Sequence, residues 1–267
     1  MTNYLNNQEV RLSKEFETNG FIVGNIKDLK SLSKIRSYYI KSIKNNLGLN
    51  IKKKKETALL NTIHKKISSE KLNNFRLKII NEANKAKDLR KLYYKISKPF
   101  LDIILGNELS MQLRINLSIQ LPNDESSLLP VHSDVWSGDS PFETVVWLPL
   151  VNCHKTKSMF ILPPKKYSKI KKIFLQKKSI SSDQVFNKIK KDLKWIKINY
   201  GQVLIFNQCL PHGNTVNKEE ETRWSLNCRF KGVFSPYSDK KIGEFFEPIT
   251  LRKVSELAID YNLPKIK

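Results

Sequence analysis

Cysteine is scarce in this 267-residue chain: Cys153, Cys209 and Cys228 are the whole set, at no metal-finger spacing. An odd, sparse count excludes a disulfide framework and a zinc ribbon, and it reads as reduced thiols in a reducing compartment. Histidine is also rare, with four residues, and acidic residues number 25 against 48 lysines and arginines. No run of 18 apolar residues occurs, which excludes a helical membrane span. Residues 1–10 are polar and lack the apolar stretch of a signal peptide, so the expected location is cytoplasmic. There is no internal repeat.

The acid deficit leaves a net charge of +23. Such a balance raises the question of nucleic acid or an anionic surface. The positive charge is mostly lysine, spread along the chain, and stretches such as 51–55 and 165–178 lack interleaved aromatics for base stacking. Charge runs of this kind are usually solvated faces. The expectation is a small-molecule partner, anionic or sugar-linked, rather than nucleic acid. With 40% apolar residues, the chain can bury a substantial core in a single domain.

Residues 1–106 read as a mostly helical N-terminal lobe. Asp28 is placed to cap a helix whose face carries Leu29, Leu32, Ile35, Tyr39 and Ile43, ended by Gly48. Two or three further helices follow between Leu59 and Leu105, with Pro99 as punctuation. From Ser110 the period becomes two: Gln112, Arg114, Asn116, Ser118 and Gln120 alternate with Leu113, Ile115, Leu117 and Ile119, as in a half-buried strand. Further strands are expected at 144–151, 158–162, 195–198, 202–206 and 223–230. A basic helical insertion is expected at 165–193, and a tail at 236–267 with one helix. Helices followed by many short strands predict a mainly β core, residues 107–235, decorated by helices.

His132-Ser133-Asp134 carries the chemistry. In extended backbone, positions i and i+2 point to one face. An imidazole and a carboxylate then share a cavity, and His212 follows the strand at 202–206. Two histidines and a carboxylate form the facial triad of non-heme iron(II) oxygenases, with positions left open on the metal. A His-x-Asp alone is common, and an isolated histidine is more often a satisfied polar residue; His64 and His154 are read that way. The strand after His212 adds weight. Arg223, Ser225, Asn227 and Arg229 share one face, while Trp224, Leu226, Cys228 and Phe230 share the other. If the polar face lines a cavity, its arginines need anionic partners, because an unpaired buried charge is costly. Solvent exposure of that face is the bland alternative.

The order His132-x-Asp134, then Gly201-Gln202-Val203-Leu204-Ile205-Phe206, then His212-Gly213-Asn214-Thr215 and Arg223, resembles the phytanoyl-CoA dioxygenase-like branch of the 2-oxoglutarate/iron(II) oxygenases. Residues 15–21 are similar to that branch's N-terminal segment. Residues 131–136 and 140–143 look more narrowly like oxygenases of bacterial surface-carbohydrate and aminoglycoside gene clusters. The resemblance implies a double-stranded β-helix (a cupin-like jelly roll) and the ligands Fe(II), 2-oxoglutarate and O2. It assigns the metal to His132, Asp134 and His212, and the far carboxylate of 2-oxoglutarate to Arg223. By the same resemblance Trp147 is expected to line the co-substrate pocket, with a core aromatic as its other reading, and Gln112 is a candidate co-substrate contact. Arg114, Asn116, Trp136, Asn227 and Arg229 are candidate substrate contacts, with simple packing the alternative for Trp136. Pro163-Pro164-Lys165-Lys166 departs from a Pro-Gly-Ser-His turn common in the relatives, which leaves the lid open to question. Asp134 stands where halogenating relatives have a small residue, so hydroxylation is expected.

Three rivals remain at the sequence level: a non-catalytic β-barrel that binds carbohydrate or anions, a nucleic-acid-associated protein, and, within the enzyme class, a hydroxylase of an acyl-CoA or amino-acid metabolite.

Overall fold

The computed structural model describes residues 4–176 and 180–262. Positions 177–179 of the expected basic insertion and 263–267 of the tail lie outside the described residues, as do positions 1–3 of the polar N-terminus.

Helix α1 (Asn7–Asn19) begins with a capping box, in which Asn6 accepts from the Glu9 amide and Glu9 accepts from the Asn6 amide. It leads into β1 (Phe21–Asn25). Asp28 does cap α2 (Leu29–Leu47), accepting from the Ser31 amide, and Gly48 closes it in the left-handed region at φ 61°. Leu32, Ile35, Tyr39 and Ile43 are buried on its inner face, whereas Leu29, in the first turn, is exposed. Helices α3 (Glu56–Asn61), α4 (Ser69–Asn84) and α5 (Leu89–Ile104) complete the lobe. Pro99 does not end α5, contrary to expectation. The carbonyl it deprives of a donor belongs to Lys95, on the exposed face where water can reach it.

The β elements are β2 (Leu109–Gln112), β3 (Asn116–Gln120), β4 (Glu143–Pro149), β5 (Phe160–Ile161), β6 (Lys194–Trp195), β7 (Gln202–Asn207), β8 (His212–Gly213), β9 (Arg223–Gly232) and β10 (Phe246–Thr250). Helices α6 (Tyr167–Gln176) and α7 (Ser182–Ile189) lie between β5 and β6, and α8 (Lys253–Ile259) follows β10. The larger sheet runs β1-β7-β4-β9-β2-β10, with β3 also on β9; the smaller runs β6-β5-β8. Their pairings are antiparallel.

Three sequence expectations need correction. The segment 110–120 is two strands, not one. From Met111 to Asn116 is five steps, while their partners Phe230 and Asn227 are three apart (230 − 227). The surplus residues leave the ladder as a bulge, and Leu113 and Arg114 turn outward into solvent. Second, the mostly helical lobe is not separate from the β core, because its Phe21–Asn25 joins the larger sheet as the edge strand on β7. Third, β10 pairs with β2 where only tail was expected; its Pro248 suits an edge.

Both faces of β9 are covered. Trp224 packs edge-on against Phe75 of α4 and donates its indole N–H to the Leu60 carbonyl at 2.8 Å. Tyr93 of α5 donates to the Val146 carbonyl at 2.9 Å. The apolar face therefore meets the helices. The opposite face, with Arg223, Asn227 and Arg229, looks toward β8 and the loop bearing His132 across a cavity of about 200 Å³.

Candidate metal centre

The loop from Pro130 enters this cavity as extended chain. Ser133 sits at φ −124°, ψ 135° and turns its hydroxyl away, donating to the Gln208 and Cys209 carbonyls. His132 and Asp134 consequently project to the other side. The backbones of His132 and His212 exchange two hydrogen bonds of 3.0 and 2.8 Å, which brings the histidines side by side with ring centroids 4.3 Å apart. Gly213 follows because a Cβ there would sit 2.6 Å from the Leu129 carbonyl oxygen.

Each imidazole is oriented from behind. His132 Nδ1 lies 2.7 Å from the Pro130 carbonyl and His212 Nδ1 lies 2.9 Å from the Leu210 carbonyl. A carbonyl only accepts, so in the neutral ring Nδ1 carries the proton and the Nε2 lone pair faces the cavity, the tautomer a metal needs. Asp134 Oδ1 lies 3.5 Å from His132 Nε2 and 3.9 Å from His212 Nε2, and a donor atom from each of the three residues falls within 4.8 Å of the others.

Electrostatics fit a cation. Burial works to raise the Asp134 carboxyl, but His132, His212 and Arg229 outweigh it and hold it well below the usual carboxylate range. Burial, reinforced by the neighbouring His132, pushes His212 down to about 4, so it stays neutral at pH 7. His132 is shifted up: burial opposes its charge, but the bond to Asp134 prevails.

Arg223 stands on the facing wall, 2% exposed. It donates from Nη1 to the Ser158 carbonyl at 3.1 Å and from Nη2 to Ser118 Oγ at 3.0 Å. Its Nε is buried without a partner, as are the hydroxyls of Ser158 and Ser225. No carboxylate lies within ion-pair distance of it among the described residues. Burial lowers its pKa to about 10. A buried guanidinium with an open donor, in the same cavity as the His132-Asp134-His212 cluster, has the chemistry to take a carboxylate.

The structure also sorts the remaining sequence candidates. Trp147, Asn116 and Asn227 line the cavity, and the two asparagines are bonded at 3.1 Å. Arg229 lines it too, but its guanidinium is engaged by Asp134 and Asp139. Gln112 is buried at the end of β2 beside β9, where its side chain accepts from the Arg229 amide, and it is not among the residues that line the cavity. Arg114 is a correction: the bulge carries it to the surface, where it bonds Asn81. Trp136 is also outside the cavity, half-exposed and edge-on to Phe174 of α6 at 5.1 Å. Sequence reasoning missed Asn214, which faces the cavity and accepts from the Leu129 amide, and the Asp139-Glu143-Gln208 cluster behind Asp134. The signal for Asn214 was its place in the His212-Gly213-Asn214-Thr215 stretch.

No protein-family model matches this chain, and no curated protein matches it. Solved structures do. A nickel complex of the non-heme monooxygenase ThoJ is 15% identical, with a TM-score of 0.52 over 92% of this chain and 90% of that one. HygX from Streptomyces hygroscopicus, with nickel and 2-oxoglutarate bound, is 12% identical, with a TM-score of 0.51 over 86% and 88%. SnoK, a non-heme alpha ketoglutarate-dependent carbocyclase from nogalamycin biosynthesis, is 12% identical, with a TM-score of 0.53 over 92% and 97%. The fold is that of these non-heme enzymes. At such identities the likeness extends to the fold alone, and the case for chemistry rests on the side chains. No helix among the described residues is long and apolar enough to cross a membrane.

Proposed function

We propose that this chain is an Fe(II)- and 2-oxoglutarate-dependent oxygenase that hydroxylates a small, sugar-linked metabolite. The observation that carries the reading is the pairing, in one cavity, of a His132-Asp134-His212 cluster with a buried arginine that has no acid partner among the described residues. The fold likeness to a protein crystallised with nickel and 2-oxoglutarate supports it. Two antiparallel sheets closing on one cavity support the double-stranded β-helix, and the order of ligands and arginine supports the phytanoyl-CoA dioxygenase-like branch.

His132 Nε2, Asp134 Oδ1 and His212 Nε2 would hold the metal, and Arg223 the distal carboxylate of 2-oxoglutarate. When bound, Fe(II), 2-oxoglutarate and O2 supply a coupled oxidation that yields succinate, carbon dioxide and a hydroxylated C–H bond. The chain's own residues bind, orient and shield. The Pro130 and Leu210 carbonyls fix the ligand tautomers. Val145, Trp147, Met159 and Phe206 give the cavity apolar walls that limit water.

Asn116, Ser118, Leu129 and Asn227 are shared between this cavity and a neighbouring groove of about 620 Å³ under α4. The groove presents serine and asparagine side chains, a single acid, Glu70, a single base, Arg76, and no lysine. In so basic a chain, that neutral polar lining favours a hydroxyl-rich substrate over an anionic one. The test is direct. Purified protein with Fe(II) and ascorbate should convert 2-oxoglutarate to succinate, and His132→Ala or Asp134→Ala should abolish this without unfolding. A wild-type protein that binds neither metal nor 2-oxoglutarate would refute the reading in favour of a non-catalytic binding barrel.

A further inference from the structure

Arg229 shares the polar face of β9 with Arg223, yet the two have opposite surroundings. Arg229 Nη2 lies 3.0 Å from Asp134 Oδ2 and 3.3 Å from Asp139 Oδ2. Its Nε donates to Gln208 Oε1 at 3.0 Å, with Glu143 Oε2 at 4.0 Å. Gln208 is itself fixed, donating to the Ser140 carbonyl and to Glu143, and Lys240 pairs with the far oxygen of Asp139. Nε and Nη2 of this arginine are thus committed to protein groups. Its effect falls on Asp134, whose two oxygens are divided: Oδ1 faces the two imidazoles and Oδ2 faces the guanidinium.

We infer that Arg229 is a positioning residue that occupies Oδ2 of Asp134, so that this carboxylate offers a metal one oxygen rather than two. The inference rests on the metal and 2-oxoglutarate reading above. A carboxylate binds a metal through one oxygen or both. A second oxygen from Asp134 would fill a position that a chelating keto acid requires on a facial-triad metal. Arg229 thus protects the co-substrate's place. It also withdraws negative charge from the metal ligand, so losing it makes Asp134 a stronger donor to the cation.

The two consequences have opposite signs, which separates this role from simple support of the fold. In Arg229→Gln, Mn(II) affinity of the apo protein, followed by electron paramagnetic resonance of free Mn(II), is expected to hold or tighten. The affinity of the Mn(II)-loaded protein for 2-oxoglutarate, followed by calorimetry, is expected to fall about tenfold or more, about 1.4 kcal/mol. Arg229→Lys keeps a cation near Oδ2 and should recover part of the 2-oxoglutarate affinity; it also serves if the glutamine variant does not fold. Parallel loss of both affinities in Arg229→Gln, or no change in either, would overturn the inference. Wild-type protein that takes Mn(II) but no 2-oxoglutarate would instead sink the underlying reading, so the two failures are distinguishable.

Discussion

Replacing Arg223 by methionine should stabilise the ligand-free protein while nearly abolishing 2-oxoglutarate binding. Methionine is unbranched, matches much of the arginine stem and has no charge to desolvate. Burial lowers the guanidinium pKa from 12.5 to about 10, which corresponds to about 3 kcal/mol of disfavoured charge. Against this stand the two hydrogen bonds to the Ser158 carbonyl and Ser118 Oγ, together about 2 kcal/mol. The balance is about 1 kcal/mol in favour of Arg223→Met, or a rise of roughly 2–4 °C in Tm for a chain of this size. The ligand effect runs the other way. Truncating one partner of a buried, hydrogen-bonded charge pair costs about 2–5 kcal/mol, so 2-oxoglutarate should bind roughly 30- to several-thousand-fold more weakly. Differential scanning fluorimetry with Mn(II), with and without 2-oxoglutarate, reads both quantities in one experiment. A variant that melts several degrees lower yet keeps its 2-oxoglutarate shift would show that Arg223 is structural, and the reasoning would fail.

Other outcomes follow from the same geometry. Gly213→Ala should weaken metal binding more than stability, because the new Cβ meets the Leu129 and Pro130 carbonyls and must displace the strand that carries His212; Mn(II) titration alongside thermal melting checks this. Trp224→Phe removes the bond to the Leu60 carbonyl and should cost about 2–3 kcal/mol, measured by urea denaturation, without changing Mn(II) affinity. Metal binding should weaken as pH falls. His212 is already neutral at pH 7, pushed down to about 4, whereas His132, despite the burial that opposes its charge, is shifted up by Asp134 and keeps a proton to higher pH than a free imidazole. Apparent affinity should therefore drop by up to about tenfold per pH unit once His132 protonates, and a flat profile between pH 5 and 8 would contradict the assignment.

Local chemistry was enough for several features. The Asp28 cap and the Gly48 terminus of α2 depend on neighbouring residues alone, and both are present. The His132-Ser133-Asp134 pair needs only an extended residue at Ser133 to share a face. The two-residue period of β9 separated its polar and apolar faces, because that period is fixed by the pleat. What covers each face is another matter. Trp224 faces helices and Arg223 faces the metal cavity because α3, α4 and α5 fold back onto one side of the larger sheet.

Only the tertiary structure distinguished residues that look alike in sequence. Arg114 and Asn116 share a strand parity, yet the bulge before β3 sends Arg114 to solvent and leaves Asn116 in the cavity; β9 offers fewer residues opposite, and no local pattern encodes that mismatch. Arg223 and Arg229 share a face, yet among the described residues one has no acid partner and the other has Asp134 and Asp139, because acids distant in sequence converge on only one of them. Sequence spacing thus determined which side chains could act together. The long-range pairing of β2, β3, β4 and β9 decided which arginine is left without an acid among the described residues and which one meets Asp134 and Asp139.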